Sequence, residues 1–241
     1  MISIIIPTYN EEKYLGKTLE NLKLLTLSHE IIISDDKSTD DTVILARKYT
    51  DKVLVPDSKH VTIGANRNAG IKIATGDMVV FMDSSCMVKN PDTFFSLALE
   101  HFKNNPKLVG LTGPLAIYPE TERWSDRLMY IGFNATTRIK NNFLHMGEAP
   151  GKFQMVRKSA LNQINGFRED LVTGEDADLF SRLSKIGRTL YDPRLTVYHS
   201  GRRAHALGWH RILTTWMIDR LWLTFVGRSK SKDWGRSWEK I

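Results

Sequence analysis

Cysteine is nearly absent from this 241-residue chain: Cys86 stands alone, so no intrachain disulfide can form and a reducing compartment is expected. Long apolar runs are missing too. The best candidate, "ILTTWMIDRLWLTFV" at residues 212–226, falls short of the ~20 residues that span a bilayer and carries Asp219 and Arg220. There is no internal repeat, no low-complexity linker and no evident domain boundary. No Gly-rich phosphate loop opens the chain, which argues against a nucleotidyltransferase of that type. Met1 leads directly into "ISIII" without a basic n-region or a small-residue cleavage site, so no signal peptide is expected. What is present is the balance of a folded soluble protein, 41% hydrophobic and 25% charged, with length enough for one sizeable core.

The charge is uneven. Residues 201–241 hold nine Lys/Arg and three Asp/Glu, which is +6 of the net +7. The bulk of the chain is therefore near neutral and its tail is basic, a feature that suits nucleic acid, an anionic membrane or a phosphorylated substrate.

The first half alternates short apolar runs with helical patterns. "ISIII", "EIIIS", "KVLV" and "DMVVFMD" read as strands. "NEEKYLGKTLENLKLL" reads as a helix capped by Asn10, and "STDDTVILARKY" as one capped by Ser38 or Thr39. "GANRNAGIKIA" is a loop running into a helix, and "NPDTFFSLALEHF" a helix with Asn90 as cap and Pro91 at its first position. This alternation predicts an α/β fold, a mostly parallel sheet flanked by helices. Farther on, "GEDADLFSRLSKIG" places Leu179, Leu183 and Ile186 on one helical face with Gly187 as C-cap, and "LTVYHSG" is a strand ending at His199.

Ligands of open α/β sheets bind beyond the carboxyl ends of the strands, and acids stand there: Asp35 and Asp36 after the second strand, Asp83 after the fourth. Tyr9 can stack on a base and Glu11 can accept a hydrogen bond. Asp36 can accept a ring N–H, and Arg67 presents a forked guanidinium to phosphate. Asp83 can hold a ribose hydroxyl or a divalent cation, and His199 is a neutral nitrogen ligand. Asp176 stands where a carboxylate base can face an acceptor. Each also has a plain structural reading as a cap, a turn residue or a first-turn acid. Their common order along one sheet edge is what favours a site.

That order resembles the family 2 glycosyltransferases. The resemblance runs through "SIIIPTYNEEKYLGKTLENL", "EIIISDDKSTDDT", "GANRNAGIKIATGDMVVFMDSS", "GKFQMVRKSALNQINGFRED", "GEDADLFSRLSKIG" and "VYHSGR", in the family's order over about the first 200 residues. It implies a GT-A, Rossmann-like fold over residues 1–200, with a nucleotide-sugar half (1–110), an acceptor half (111–200) and a basic, Trp-rich helical tail (201–241). It implies that Pro7, Tyr9 and Glu11 line the nucleobase and ribose, that Asp36 contacts the base, and that Arg67 lies beside the donor. Asp83 matches the first acid of the DxD-type motif, Asp176 the general base of the "ED" motif beside Glu175, and His199 a metal-binding histidine. Gly151 and Glu175 fall on the acceptor side. The implied reaction is inverting transfer of a sugar from a nucleotide-sugar donor to an acceptor hydroxyl or lipid phosphate, assisted by a divalent cation, Mg or Mn.

The chain departs from the motif in one respect. Where the family has Asp-any-Asp, it reads Asp83-Ser84-Ser85, and a serine hydroxyl is a weaker ligand for a hard cation. Three readings are open. The metal is held by Asp83, His199 and the diphosphate, with Ser85 contributing; or Arg67 and the basic residues at Arg202-Arg203 neutralise the diphosphate; or the chain is an inactive nucleotide-binding relative. The joint presence of Asp36, Asp83, Asp176 and His199 favours the first.

Residues 114–150 are expected to form the acceptor side, with "WSDRLMYIGFN" and "NNFLHMGEAPGKF" as mobile or partner-facing pieces. The tail, with Trp209, Trp216, Trp222, Trp234 and Trp238 among basic residues, suits a lipid-linked acceptor or peripheral contact through residues 207–241 with the cytoplasmic face of a membrane. A core or homodimer helix is the alternative. No nucleic-acid motif accompanies the basic tail, so nucleic acid is not an expected partner.

Overall fold

The computed structural model describes residues 1–56 and 62–226. Seven strands form the main sheet: β1 (Ile2–Thr8), β2 (His29–Asp35), β3 (Val53–Leu54), β4 (Met78–Met82), β6 (Leu108–Thr112), β8 (Phe153–Arg157) and β9 (Arg188–Tyr191). Their order is β3-β2-β1-β4-β8-β6-β9. The three remaining strands, β5 (Cys86–Val88), β7 (Leu115–Ile117) and β10 (Val197–His199), form a small sheet in the order β5-β10-β7. The helices are α1 (Glu12–Lys23), α2 (Thr42–Ala46), α3 (Ile63–Ile73), α4 (Pro91–Asn104), α5 (Trp124–Asn142), α6 (Lys158–Gln163), α7 (Glu175–Leu183), α8 (Arg202–Leu207) and α9 (Trp209–Val226).

The continuous apolar strands arise from burial on both faces. Along β1, Ile4 and Ile6 pack with Leu15, Leu19 and Phe95 on one side, while Ile5 packs with Ile71 and Phe81 on the other. β4 divides likewise, Val80 and Met82 to the first layer and Val79 and Phe81 to the second. One strand breaks the parallel rule. β8 lies antiparallel to both β4 and β6, and its register pairs Met82 with Phe153. That pairing puts Asp83, just past β4, beside Lys152, just before β8.

Several local expectations need correction. Asn10 does not cap α1: it lies in the left-handed region (φ 52°), and its Oδ1 accepts the Thr39 N–H at 2.8 Å. Ser38 and Thr39 do not cap α2, which starts at Thr42 with Asp40 Oδ1 accepting the Thr42 N–H at 3.1 Å. Ser38 instead donates to Asp35 Oδ2 (2.6 Å) and accepts from the Asn10 N–H (2.8 Å), tying two strand-end loops together. α7 ends at Leu183 rather than running on to a cap at Gly187, and Ile186 is exposed. The stretch "WSDRLMYIGFN" lies within one helix of 19 residues, Trp124–Asn142.

α5 anchors the next two helices of the chain's end. Asp126 is buried and accepts from the Arg123 N–H (2.8 Å), His205 Nε2 (2.7 Å) and Trp209 Nε1 (2.6 Å), which ties α8 and the start of α9 to α5. Among the described residues no helix is long and apolar enough to cross a membrane. Trp234, Trp238 and the rest of the tail from residue 227 lie outside the described residues.

Candidate active site

Four elements converge at the carboxyl end of β4. α3 delivers Arg67 from its second turn, β4 ends at Asp83, the approach to β8 carries Gly151 and Lys152, and α7 opens with Glu175 and Asp176. Gly174, at φ 78°, makes the left-handed turn that starts α7 and sets both acids in its first turn, where the helix dipole favours negative charge.

Arg67 is the hub. It is only 2% exposed. Its Nη1 lies 2.5 Å from Asp176 Oδ1 and 3.2 Å from Glu175 Oε1, and its Nη2 3.5 Å from Asp83 Oδ1. Nη2 also donates to the Gly151 carbonyl at 3.2 Å, and the guanidinium sits 5.1 Å from the Phe167 ring centroid. A guanidinium so buried needs this many acids to offset its desolvation. Gly151 is obligatory for close approach: a Cβ there would collide with Asp176 Oδ2 and lie 2.8 Å from Arg67 Nη2.

The acids respond differently. Burial pushes Glu175 up, to about 8, reinforced by the charge of Asp176 and opposed by Arg67. Burial also raises Asp176, with Arg67 opposing. Asp83 moves the other way: burial would raise it, but Lys152 and then Arg67 hold it below the usual carboxylate range. Lys152 Nζ lies 2.9 Å from Asp83 Oδ2, and although burial would lower that amine, Asp83 carries it above the ordinary lysine range. Gln154 Nε2 donates to Asp176 Oδ1 at 3.3 Å. Gln154 Oε1 and Arg67 Nε are buried without a hydrogen-bond partner among the described residues, a cost that folded proteins rarely carry without a use.

The structure thus gathers Arg67, Asp83, Gly151, Glu175 and Asp176. Other candidates stand apart from that cluster. Pro7 lies within β1, and the Asp36 N–H just past β2 donates to the Thr8 carbonyl at 2.8 Å. Tyr9 comes just after β1 and is half-buried. Glu11 pairs with Arg202, whose guanidinium also lies 4.4 Å from the Tyr14 ring centroid. The Ser85 carbonyl accepts from Tyr118 Oη at 2.6 Å. Lys152 and Gln154 escaped the sequence reading. Their signal was present: two polar residues at alternate positions in the otherwise apolar "GKFQMV".

The two expected metal ligands, Asp83 and His199, are each engaged by protein partners in this structure. His199 is buried, Nδ1 accepts the Gly201 N–H (3.1 Å), and Nε2 bonds Tyr130 Oη (2.7 Å). Burial, with help from Lys152, holds its pKa well below the ordinary value, so the ring is neutral. Both ring nitrogens are thus hydrogen-bonded within the protein. Asp83 faces a cation at each oxygen. No group of three or more His, Cys, Asp and Glu among the described residues is arranged to hold a metal.

The glycosyl transferase family 2 model matches residues 3–164, about two thirds of the chain. The chain belongs to glycosyltransferase family 2. Among curated relatives, the chondroitin synthase of Escherichia coli is 29% identical over 194 residues, covering 78% of this chain and 27% of its own length. A dolichyl N-acetyl-α-D-glucosaminyl phosphate 3-β-D-2,3-diacetamido-2,3-dideoxy-β-D-glucuronosyltransferase of Methanococcus voltae is 29% identical over 213 residues, covering 79% of this chain and 63% of its own. The chain therefore spans less than two thirds of each. Solved structures share the fold. The Pyrobaculum calidifontis mannosyltransferase, in complex with GDP-Man and Mn2+, gives a TM-score of 0.73 at 16% identity, covering 95% of this family 2 chain and 65% of that one. The S. aureus TarS fragment with UDP-GlcNAc gives 0.65 at 22%, covering 82% and 57%. This is the GT-A-like fold expected from the sequence.

Proposed function

We propose that this family 2 chain is a nucleotide-sugar-dependent glycosyltransferase that acts with inversion, and that Asp176 is its general base. The observation that carries the reading is the convergence of Asp83 and Asp176 on Arg67 at the sheet edge where α/β folds bind ligands. A base must be ionised and must be more basic than an exposed carboxylate to take a hydroxyl proton well. Burial makes Asp176 more basic, while Arg67 opposes that rise and fixes the carboxylate in place. The acceptor oxygen attacks the anomeric carbon from the face opposite the leaving group, and its proton passes to an Asp176 oxygen. Asp83 is suited to a donor hydroxyl. Pro7, Tyr9, Glu11 and Asp36 line the neighbouring strand ends for the nucleoside, and Ser85 lies two residues beyond Asp83. No step is assigned to a divalent cation, because Asp83 and His199 are otherwise engaged.

The acceptor reading rests on a different surface. An apolar groove of about 250 Å³ lies between α5 and α9, lined by Leu128, Tyr130, Phe133, Trp209, Leu213 and Trp216. On the same two helices Trp124, Ile131 and Met217 are exposed, as are Arg127 and Arg211. Apolar and aromatic side chains next to arginines suit the surface of an anionic membrane and a lipid-linked acceptor presented there. The Methanococcus voltae relative is named for a dolichyl N-acetyl-α-D-glucosaminyl phosphate.

Release of nucleoside diphosphate from UDP-, GDP- and dTDP-sugars tests the reaction. Asp176→Asn is expected to lower turnover by about 100-fold or more while nucleotide still binds. Equal turnover in the variant would remove Asp176 from the chemistry. Binding to anionic vesicles tests the surface, with Trp216→Ser/Met217→Ser expected to weaken it; unchanged binding would rule that face out.

A further inference from the structure

We infer that Lys152, rather than a divalent cation, supplies the positive charge that meets the donor diphosphate at the end of β4. The inference rests on the nucleotide-sugar reading above, and it departs from the metal-bound state of the Pyrobaculum calidifontis enzyme. Three observations carry it.

The first is position. The antiparallel β4–β8 register places Lys152 directly beside Asp83, at the strand end where a cation would otherwise have to sit. The second is the state of the would-be metal ligands. Asp83 Oδ2 is held by Lys152 at 2.9 Å, Asp83 Oδ1 faces Arg67 at 3.5 Å, and both His199 nitrogens are bonded within the protein. A cation arriving here would meet two fixed positive charges around one carboxylate. The third is what Lys152 has left to give. Its ammonium has three N–H donors, of which Asp83 takes one, and its side chain is 28% exposed. Arg67 could not play this part, since it is almost wholly buried and directed at Asp176, Glu175 and Gly151. Arg202 is engaged by Glu11, and Arg203 adds to the positive field on Asp83, whereas Lys152 bonds it directly.

The step balances without a metal. The bond from the anomeric carbon to the diphosphate oxygen breaks, and its electron pair stays on that oxygen. The bond from the acceptor oxygen to the carbon forms, and the acceptor proton goes to Asp176. Lys152 stabilises the growing phosphate charge through charge-assisted hydrogen bonds and transfers no proton. With Ser85 in the place of an acid there is no second carboxylate to complete a metal cage, and Lys152 supplies the charge in its stead.

Calorimetry on the whole chain tests this with UDP, GDP and dTDP, and with the matching nucleosides, each in EDTA and in Mn2+. The diphosphate that binds is expected to do so equally in both conditions, within about threefold. Lys152→Met is expected to weaken it by about tenfold or more, Lys152→Arg far less, and neither to change binding of the nucleoside. A tenfold or greater gain with Mn2+ in the unaltered chain would overturn the inference while leaving the nucleotide-sugar reading intact. So would a Lys152→Met variant that binds the diphosphate within about threefold of the unaltered chain. Binding of no diphosphate in either condition would overturn the underlying reading and this inference with it.

Discussion

Replacing Arg67 with methionine isolates the electrostatics of the site. Methionine keeps an unbranched chain of similar reach against Phe167 but removes the charge that faces Glu175, Asp176 and Asp83. Breaking a buried ion pair from one side costs about 3–5 kcal/mol, because the surviving charges stay desolvated. In a chain of this size that is a fall in Tm of about 6–20 °C. The cost should depend on pH in a defined direction. Glu175 and Asp176 already sit above their ordinary values through burial, and without Arg67 both rise further. A carboxyl whose folded pKa is raised stabilises the fold while protonated and loses that contribution as pH rises through the folded pKa. The deficit of Arg67→Met should therefore be largest near pH 8 and shrink toward pH 5. Adding Asp176→Asn to the variant should recover part of it, a coupling that a double-mutant cycle reads directly. Urea unfolding at several pH values between 5 and 8 is the assay. A deficit below about 1 kcal/mol, or one that does not change with pH, would refute the picture of a guanidinium sustaining a buried acid cluster.

Other consequences are simpler to check. Gly151→Ala should cut turnover sharply with a modest loss of stability, because its Cβ pushes on side-chain ends, Asp176 Oδ2 and Arg67 Nη2, rather than on backbone; unchanged turnover would mean the pair can shift freely. Asp126→Ala leaves His205 and Trp209 without their acceptor, so limited proteolysis should release α8 and α9 faster than in the unaltered chain. Asp192 is held at about 2, against the pull of burial, by bonds from Arg194 and His101. A depressed carboxylate gives stability that is present above its unfolded pKa, near 3.8, and fades as pH falls toward 2. Asp192→Asn should therefore cost about 1 kcal/mol at neutral pH, screened because Arg194 is largely exposed, and nothing near pH 2. Thermal melts across that range decide it.

What could be read from the sequence was what depends on near neighbours. Continuous β-branched runs gave β1, β2 and β4, and the Asn90-Pro91 pair gave the start of α4, whose cap accepts the Thr93 N–H at 3.1 Å. What could not be read depended on distant pairing. Asn10 and Ser38 are good capping residues by type, yet each makes a hydrogen bond to the other's loop, 28 or 29 residues away. Lys152 and Gln154 gained meaning only when β8 ran antiparallel between β4 and β6, which no local pattern states. Asp126 is a first-turn acid of α5, but its weight comes from His205 and Trp209, about 80 residues away. Asp83 and Asp176 were found because strand ends and helix starts are local features. The guanidinium that joins them is contributed by a third element.

On this reading the charge balance of the cluster explains how one site can bind an anion among acids. Three carboxyls, Asp83, Glu175 and Asp176, face two cations, Arg67 and Lys152. Burial raises Glu175 to about 8, so near neutrality it adds little negative charge to the cluster. An incoming diphosphate upsets that balance, and we assign it to Lys152, the partly exposed cation bonded to Asp83. As Lys152 turns part of its donor capacity to phosphate, Asp83 Oδ2 is released to accept a hydroxyl from the donor. Arg67 meanwhile stays locked on Asp176, so the base keeps its place and its charge while the other half of the site rearranges. Recruitment of the leaving group and positioning of the base are thus assigned to different cations, and substitutions at 67 and 152 should separate loss of turnover from loss of diphosphate affinity.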